Sequence, residues 1–399
     1  MVVFALYSLQ GSLGSFGAMV GVPLLLVVLL LGFYYMLYVN TRLKITNFLR
    51  VVNILVLLFT IYSIYYIVFD DRVYTLIKPL EYIEINKTTT LKNALLSFLP
   101  LYLYYWASKK NIIDEKWLKL FLLFWIIVSM ISYIQYEIAG LQYKSTFGIE
   151  TEELTNNKGF EFLTLFPFLL VVPLSFRTRY LLLSIFFVMV FSSFKRGTII
   201  VMLIFFVIFI VHEFKSSAIK VKLRLMGLTT ISLTFLFYYI CNLFEESAYL
   251  QSRLEGTLEG NSSGRDRIYL TLWEYFIKKS DFIHQIFGHG TDYTVYVCGN
   301  FAHNDWLELL ICYGIIGLCV FIYYFIALWH DCQHMYYKNY RVGMYMILIM
   351  FLFLSLFSMS YPNFSTSVFL GFCLGKINRR ALKENNIGVP TFEDYKCIN

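Results

Sequence analysis

The chain holds 399 residues, 58% of them hydrophobic and 15% charged, with a mean hydropathy of +0.64. Average globular chains run at about 45–50% apolar and about 25% charged, so a set of soluble domains is excluded and lipid must serve as solvent over most of the length. The net charge of +7 then reads as a matter of topology, and no nucleic-acid partner is expected.

A hydrocarbon core of about 30 Å takes roughly 20 apolar residues in a helix. Runs of this kind, separated by charged clusters, fall at 17–40, 47–69, 91–107, 117–140, 159–176, 179–194, 197–213, 224–243, 304–329, 341–359 and 364–377. Residues 2–16, with Gly11 and Gly14, form either a twelfth helix or a re-entrant stretch. No signal-peptide cleavage pattern is visible, which keeps the first apolar stretch in the mature chain. The expected fold class is therefore an all-α polytopic integral membrane protein of 11–12 transmembrane helices. Its 32 Tyr, 39 Phe and 6 Trp suit long boundaries between membrane and water. Seven cysteines are scattered without metal or disulfide spacing, as small buried hydrophobes would be.

Cytoplasmic loops retain positive charge. One set of alternate loops, at Arg42–Arg50, Lys109–Lys119, Arg177–Arg179, Lys215–Arg224, Lys338–Arg341 and from Lys376 onward, carries 20 of the 33 Lys and Arg in the shorter total length. That set and the C-terminus are expected in the cytoplasm. The outer face then carries Asp70–Lys92, the acidic stretch around Glu150, Glu152 and Glu153, the corner Lys195-Arg196-Gly197 and a loop from Phe244 to Ala302. The chain divides into N-terminal transmembrane helices (1–243), a large external loop (244–302), C-terminal transmembrane helices (303–377) and a cytoplasmic tail (378–399). The loop opens polar and glycine-rich at Glu255–Gly264. It continues as an amphipathic helix over Asp266–Lys279, with Ile268, Leu272, Trp273, Phe276 and Ile277 near one face, a pattern that lies in the interface instead of crossing it.

Three outward features carry potential chemistry. Lys195 and Arg196 precede a helix whose N-terminal dipole they oppose, a conflict that a bound anion would relieve; snorkelling at the end of a hydrophobic hairpin would also account for them. Arg265 and Arg267, after Ser262-Ser263-Gly264, sit beside backbone donors suited to phosphate oxygens, or else contact lipid headgroups from a capped interfacial helix. In Phe301-Ala302-His303-Asn304-Asp305-Trp306-Leu307-Glu308, Asn304 or Asp305 can cap the next helix and leave His303 at its mouth. There the helix end favours the neutral, proton-accepting imidazole; a structural interfacial histidine is the alternative. All three features fall on one face, and two of them offer anion sites.

Other features carry less. His330 and His334 share a helix face but lack further ligands, so a solvated face is favoured over a metal site. His284 and His289 flank the end of the loop helix, where Gly288-His289-Gly290 suggests a turn. Glu161 is an intramembrane carboxylate and so a functional candidate, or else paired with a nearby lysine. Gly314 and Gly317 read as a helix-packing surface. No Walker loop, nucleophile elbow or zinc-protease motif occurs.

The segments Phe194-Lys195-Arg196-Gly197-Thr198, Ser263-Gly264-Arg265 followed by Trp273 and Gly288-His289-Gly290, and His303-Asn304-Asp305-Trp306-Leu307 with Gly314 and Gly317 resemble the O-antigen ligase and Wzy-type polysaccharide polymerase superfamily. Thr155-Asn156-Asn157-Lys158-Gly159-Phe160 with Pro167 is similar to that family's asparagine-rich helix start, while Glu161 departs from it. The resemblance covers roughly residues 145 to 330, and its His-Asn segment is the most specific part. It implies a GT-C-like glycosyltransferase of the bacterial cytoplasmic (inner) membrane with its active site on the outer face. The implied donor and acceptor are undecaprenyl-diphosphate-linked oligosaccharides, with no nucleotide sugar, cofactor or active-site metal. Flippase and chain-length regulator proteins are the implied protein partners.

On that reading His303, Arg196 and Arg265 are the catalytic candidates, and Lys195, Arg267, Asp305 and Asn304 the substrate-binding ones, with Asp305 orienting His303. Polymerisation of repeat units into surface polysaccharide is favoured. Ligation to a final acceptor is the alternative, and a lipid-linked oligosaccharide flippase, which should carry charges deep in its helices, a more distant one.

Overall fold

A computed structural model describes residues 14–78, 81–147, 156, 158–193, 195–216, 265–357 and 363–377, with isolated positions at 227, 234, 238 and 242. The expected segments at 2–16 and 224–243, the glycine-rich start of the loop, most of the asparagine-rich stretch before Lys158 and the tail after Ile377 therefore lie largely or wholly outside the described residues.

The chain is a multi-pass, all-α membrane protein. Helices occupy Gly14–Arg42 (α1), Asn47–Phe69 (α2), Thr88–Lys109 (α3), Glu115–Phe147 (α4), Gly159–Leu165 (α5), Phe168–Val171 (α6), Phe176–Phe191 (α7) and Arg196–Ser216 (α8). After the loop come Arg265–Lys278 (α9), Phe282–Phe287 (α10), Tyr293–Cys298 (α11), Asp305–Gln333 (α12), Lys338–Phe357 (α13) and Phe364–Lys376 (α14). Six helices among the described residues are long and apolar enough to cross a membrane. Ten of the expected segments are helical, but several are short, and the one at 159–176 is interrupted around Pro167, between α5 and α6. Outward-pointing Leu26, Leu57, Leu120 and Val207 are what a lipid-facing surface requires.

An antiparallel hairpin, Thr75–Lys78 (β1) with Glu81–Glu84 (β2), interrupts the Asp70–Lys92 connection; helical periodicity gave no sign of it. Cation-bearing helix ends gather at the opposite end of the bundle. There Tyr105 donates to the Lys44 carbonyl at 2.6 Å, Arg179 pairs with Glu213 at 2.7 Å and the Phe48 amide donates to Asp331 at 3.0 Å.

Gly314 and Gly317 are packed as closely as expected, Gly314 against the Ile286 carbonyl of α10 and Gly317 against Tyr313, and a second close contact joins two helices elsewhere. It lies between α14 and α3, where a Cβ on Gly371 would stand 2.7 Å from the Leu101 carbonyl oxygen and one on Gly375 2.6 Å from Ser108 Cβ. Small residues one turn apart let two backbones approach in lipid, and the Ser108 hydroxyl bonds the Phe372 carbonyl at 2.7 Å across the contact.

Gly314 also breaks α12. Its φ of 66° and ψ of −164° leave the helix, and the two arms fold alongside each other. The Trp306 ring lies 5.2 Å from that of Phe321 and 5.8 Å from that of Phe325, whereas a straight helix would separate residues 306 and 321 by about 22 Å. The expected single crossing at 304–329 is thus a short arm, 305–313, followed by a long arm, 315–333, of roughly 28 Å. Carbonyls at the end of the short arm have no helical donor. The turn at Gly288-His289-Gly290 supplies two: the His289 amide donates to Ile311 and the Gly290 amide to Cys312, both at 3.0 Å. A Cβ at Gly314 would come within 2.6 Å of the Gly288 amide nitrogen, so the bend and the turn require each other.

Candidate functional site

The bend sets the position of the segment before it. Asn304 caps the short arm, its side-chain oxygen accepting from the amides of Trp306 (3.0 Å) and Leu307 (3.1 Å), while its nitrogen donates to the Leu356 carbonyl at 3.2 Å. Trp306 Nε1 donates to Ser355 Oγ at 3.0 Å. The last turn of α13 therefore fixes the height of His303. The same turn meets the Lys195 corner, because the space beside Gly197 is bounded by Leu354. That corner is braced from behind by the Asn156 amide, which donates to the Ser193 carbonyl at 3.1 Å, and by the close packing of Gly159 on Ser193.

The third side is α9. Leu272 is fully buried and anchors this helix, as its amphipathic pattern anticipates; Trp273 and Ile277 remain about half exposed. Arg265 opens α9, and Tyr269, one turn later on the same face, directs its hydroxyl at the His303 carbonyl, 3.3 Å away. Lys195, Arg265 and His303, far apart in sequence, thus come within electrostatic reach of one another.

Burial, and then the charges of Arg265 and Lys195, hold the His303 imidazole below the usual histidine range. Burial and the charge of Arg265 likewise push the Lys195 ammonium down. An imidazole so placed is neutral at neutral pH and can accept a proton. The sequence reading traced that neutrality to the helix end; the larger causes are desolvation and two cations. His303 also has a φ of 52°, a left-handed conformation uncommon for a residue with a side chain, and strain of this kind clusters where a side chain must be aimed.

The other candidates sit differently. Arg196 begins α8, but its side chain lies outside the described residues. Arg267 is exposed, two positions from Arg265 and so on another face of α9. Asp305 is buried in the first turn of the short arm, within electrostatic reach of Tyr324 on the long arm. Glu161 pairs with Lys158 at 3.3 Å and accepts from Ser129 at 3.1 Å. His330 lies 3.0 Å from Asn47 through Nδ1, and His334 bonds the His330 carbonyl; no cluster of three metal-ligating side chains occurs among the described residues. His284 and His289 stack at 4.3 Å, with Tyr293 on the other face of His289 at 4.4 Å.

Sequence reasoning singled out neither Tyr269 nor Glu308. Tyr269 was detectable only as the residue one turn beyond Arg265. Glu308 carried a clearer signal, a carboxylate within an apolar helix.

A comparison with curated proteins returns no match. Residues 181–322, just over a third of the chain, match the family model described as O-antigen ligase. The matched stretch contains the Lys195 corner, the start of α9 and the His303 segment. Over these residues the chain is similar to that family, which supports a role in surface-glycan assembly or ligation.

Proposed function

We propose that the protein transfers glycan from an undecaprenyl diphosphate carrier to a sugar hydroxyl at the outer face of the bacterial cytoplasmic membrane, polymerising lipid-linked repeat units. The arrangement that carries this reading is a half-buried His303 whose imidazole is held below the usual histidine range by burial and by the charges of Arg265 and Lys195. The acceptor oxygen attacks the anomeric carbon, the bond from that carbon to the diphosphate oxygen breaks, and His303 takes the hydroxyl proton. Charge builds on the leaving diphosphate, where Arg265, Arg196 and Lys195 act as fixed counter-charges. Arginine is suited to this work because its guanidinium stays charged and grips phosphate oxygens in pairs. Arg267 serves the outer part of the donor. Asn304 acts through its cap, and Asp305 through the placement of the short arm.

Ligation to a final acceptor is the second reading, favoured by the description of the matched family model. Deleting the gene in its host and analysing glycans separates the two. Surface glycan of single repeat units indicates polymerisation, long lipid-linked chains indicate ligation, and loss of externally exposed lipid-linked units indicates a flippase. Complementation with Arg196→Ala, Arg265→Ala or His303→Ala should lower transfer by about 100-fold or more each. Full-length glycan restored by all three variants at normal protein levels would overturn the assignment.

A further inference from the structure

We propose that Glu308 is a positioning residue for His303, its buried carboxylate fastening the backbone just before the histidine to helix α11. The inference rests on the reading of His303 as the base. Glu308 is 4% exposed. Its Oε2 accepts from the Ala302 amide at 2.8 Å, and its Oε1 accepts from the Thr294 hydroxyl at 2.6 Å, with the Cys312 thiol 3.6 Å away. Its own amide donates to the Asn304 carbonyl at 2.9 Å. Ala302 and Thr294 are both fully buried.

A carboxylate in such a place costs free energy unless its oxygens are hydrogen-bonded, as these are. What the carboxylate adds is a two-point clamp. One oxygen holds α11 and the other holds the Phe301–Ala302 peptide, one residue before His303. The left-handed φ of His303 needs such restraint, since an unrestrained chain relaxes to commoner backbone angles. Tyr269 holds the His303 carbonyl and Asn304 is fixed by its cap. With Glu308 on the Ala302 amide, the backbone is held on both sides, and only side-chain rotation is left to the imidazole.

The test compares Glu308→Ala with Glu308→Gln in the full-length purified protein, using a lipid-diphosphate-linked oligosaccharide as substrate. Glutamine can accept from the Ala302 amide and donate to Thr294, keeping both links without the charge. Displacing a catalytic group by an ångström costs about 100-fold, so Glu308→Ala should lower kcat by about 30- to 100-fold and change the donor KM by less than about threefold. Glu308→Gln should recover most of that loss. A second readout is independent of turnover: carbethoxylation of His303, followed by mass spectrometry, should change rate by more than about threefold in Glu308→Ala and stay near the native rate in Glu308→Gln.

Native kcat in Glu308→Ala, an unaltered His303 modification rate, or a glutamine variant as slow as the alanine one would each overturn the proposal. Should Glu308→Ala fail to accumulate, Thr294→Val removes one of the two anchors. It should then lower kcat by about three- to tenfold at constant KM, and an unchanged kcat would overturn the proposal equally. Full transfer activity in His303→Ala would instead remove the base assignment, while the carbethoxylation comparison would still decide whether Glu308 holds His303.

Discussion

Two groups of cations lie at the loop end of the bundle, and they act on their neighbours differently. Around Arg72 the charge is matched: Asp70 takes two hydrogen bonds from the guanidinium, at 2.8 and 2.7 Å, and the rings of Tyr293, Tyr296 and Tyr74 surround it at 4.9, 5.4 and 5.8 Å. Asp70 is correspondingly held below the usual carboxylate range against its own burial. Around His303 the neighbours work the other way, with Arg265 depressing Lys195 and both depressing the imidazole. A matched cation fastens structure, here the β hairpin to α11. Cations gathered against one another raise the local potential, and an arriving diphosphate lowers it.

The sharpest way to break this contrast is to remove one arginine from each cluster. Arg265→Ala should cost about 100-fold or more in transfer with little change in thermal unfolding in detergent. Arg72→Ala should leave the turnover per folded molecule near native and lower the unfolding midpoint by roughly 2–5 °C, a modest shift because the pair is partly exposed. Equal effects of both substitutions on turnover would show that the clusters are not functionally distinct.

The pH dependence of the rate gives a finer test. Since His303 is held below its ordinary value, kcat/KM should stay flat on the acid side to below pH 6.5, roughly the pKa of an unperturbed imidazole. Replacing Arg265 by Gln removes a charge that depresses the imidazole, so the acid limb should move up in pH. Lys195→Gln should move it the same way by less, the lysine being the smaller of the two charges acting on His303. In the donor complex the diphosphate opposes both cations, and the limb of kcat should lie above that of kcat/KM. A limb that stays put or falls in Arg265→Gln would mean that His303 is not the titrating base.

Much of this arrangement was legible in the sequence. Hydropathy marks each described crossing because lipid allows so few polar side chains in a span, and the amphipathic stretch at Asp266–Lys279 appears as a helix shifted by one residue. The bend at Gly314 was not legible. Periodicity continues through it, since both arms bury apolar faces, and only the φ of one glycine and the distant turn at Gly288 make the break. The β hairpin was hidden for a different reason: at four residues a side it is too short to show an alternating pattern. Among the site residues, sequence indicates chemistry better than proximity. It marks Lys195, Arg265 and His303 as unusual, but their convergence depends on the last turn of α13 and on Tyr269, contacts made across the bundle.

The smallest effect is expected on the matched side, where titration should move stability and not rate. Burial, and then the neighbouring His284, push the His289 imidazole down to about 4, and burial pushes the Asp292 carboxyl up to about 6. These act with opposite sign. Between about pH 6.5 and 4 the unfolded chain binds the His289 proton more tightly than the folded one, so that contribution to stability is lost as pH falls. Between about pH 3.8 and 6 the folded chain holds the Asp292 proton more tightly, so that contribution is lost as pH rises. In the shared window the two largely cancel. Asp292→Asn keeps an acceptor for Thr90, tolerates the φ of 61° at this position and uncovers the histidine: relative to native protein at the same pH, its unfolding midpoint should drop on going from pH 6 to 4. His289→Gln uncovers the aspartate, and its relative midpoint should drop from pH 4 to 6. Neither substitution should move the acid limb of the transfer rate. A constant offset from the native midpoint in both variants would show that these groups do not titrate as their burial dictates, and a displaced acid limb in either would tie the two clusters together after all.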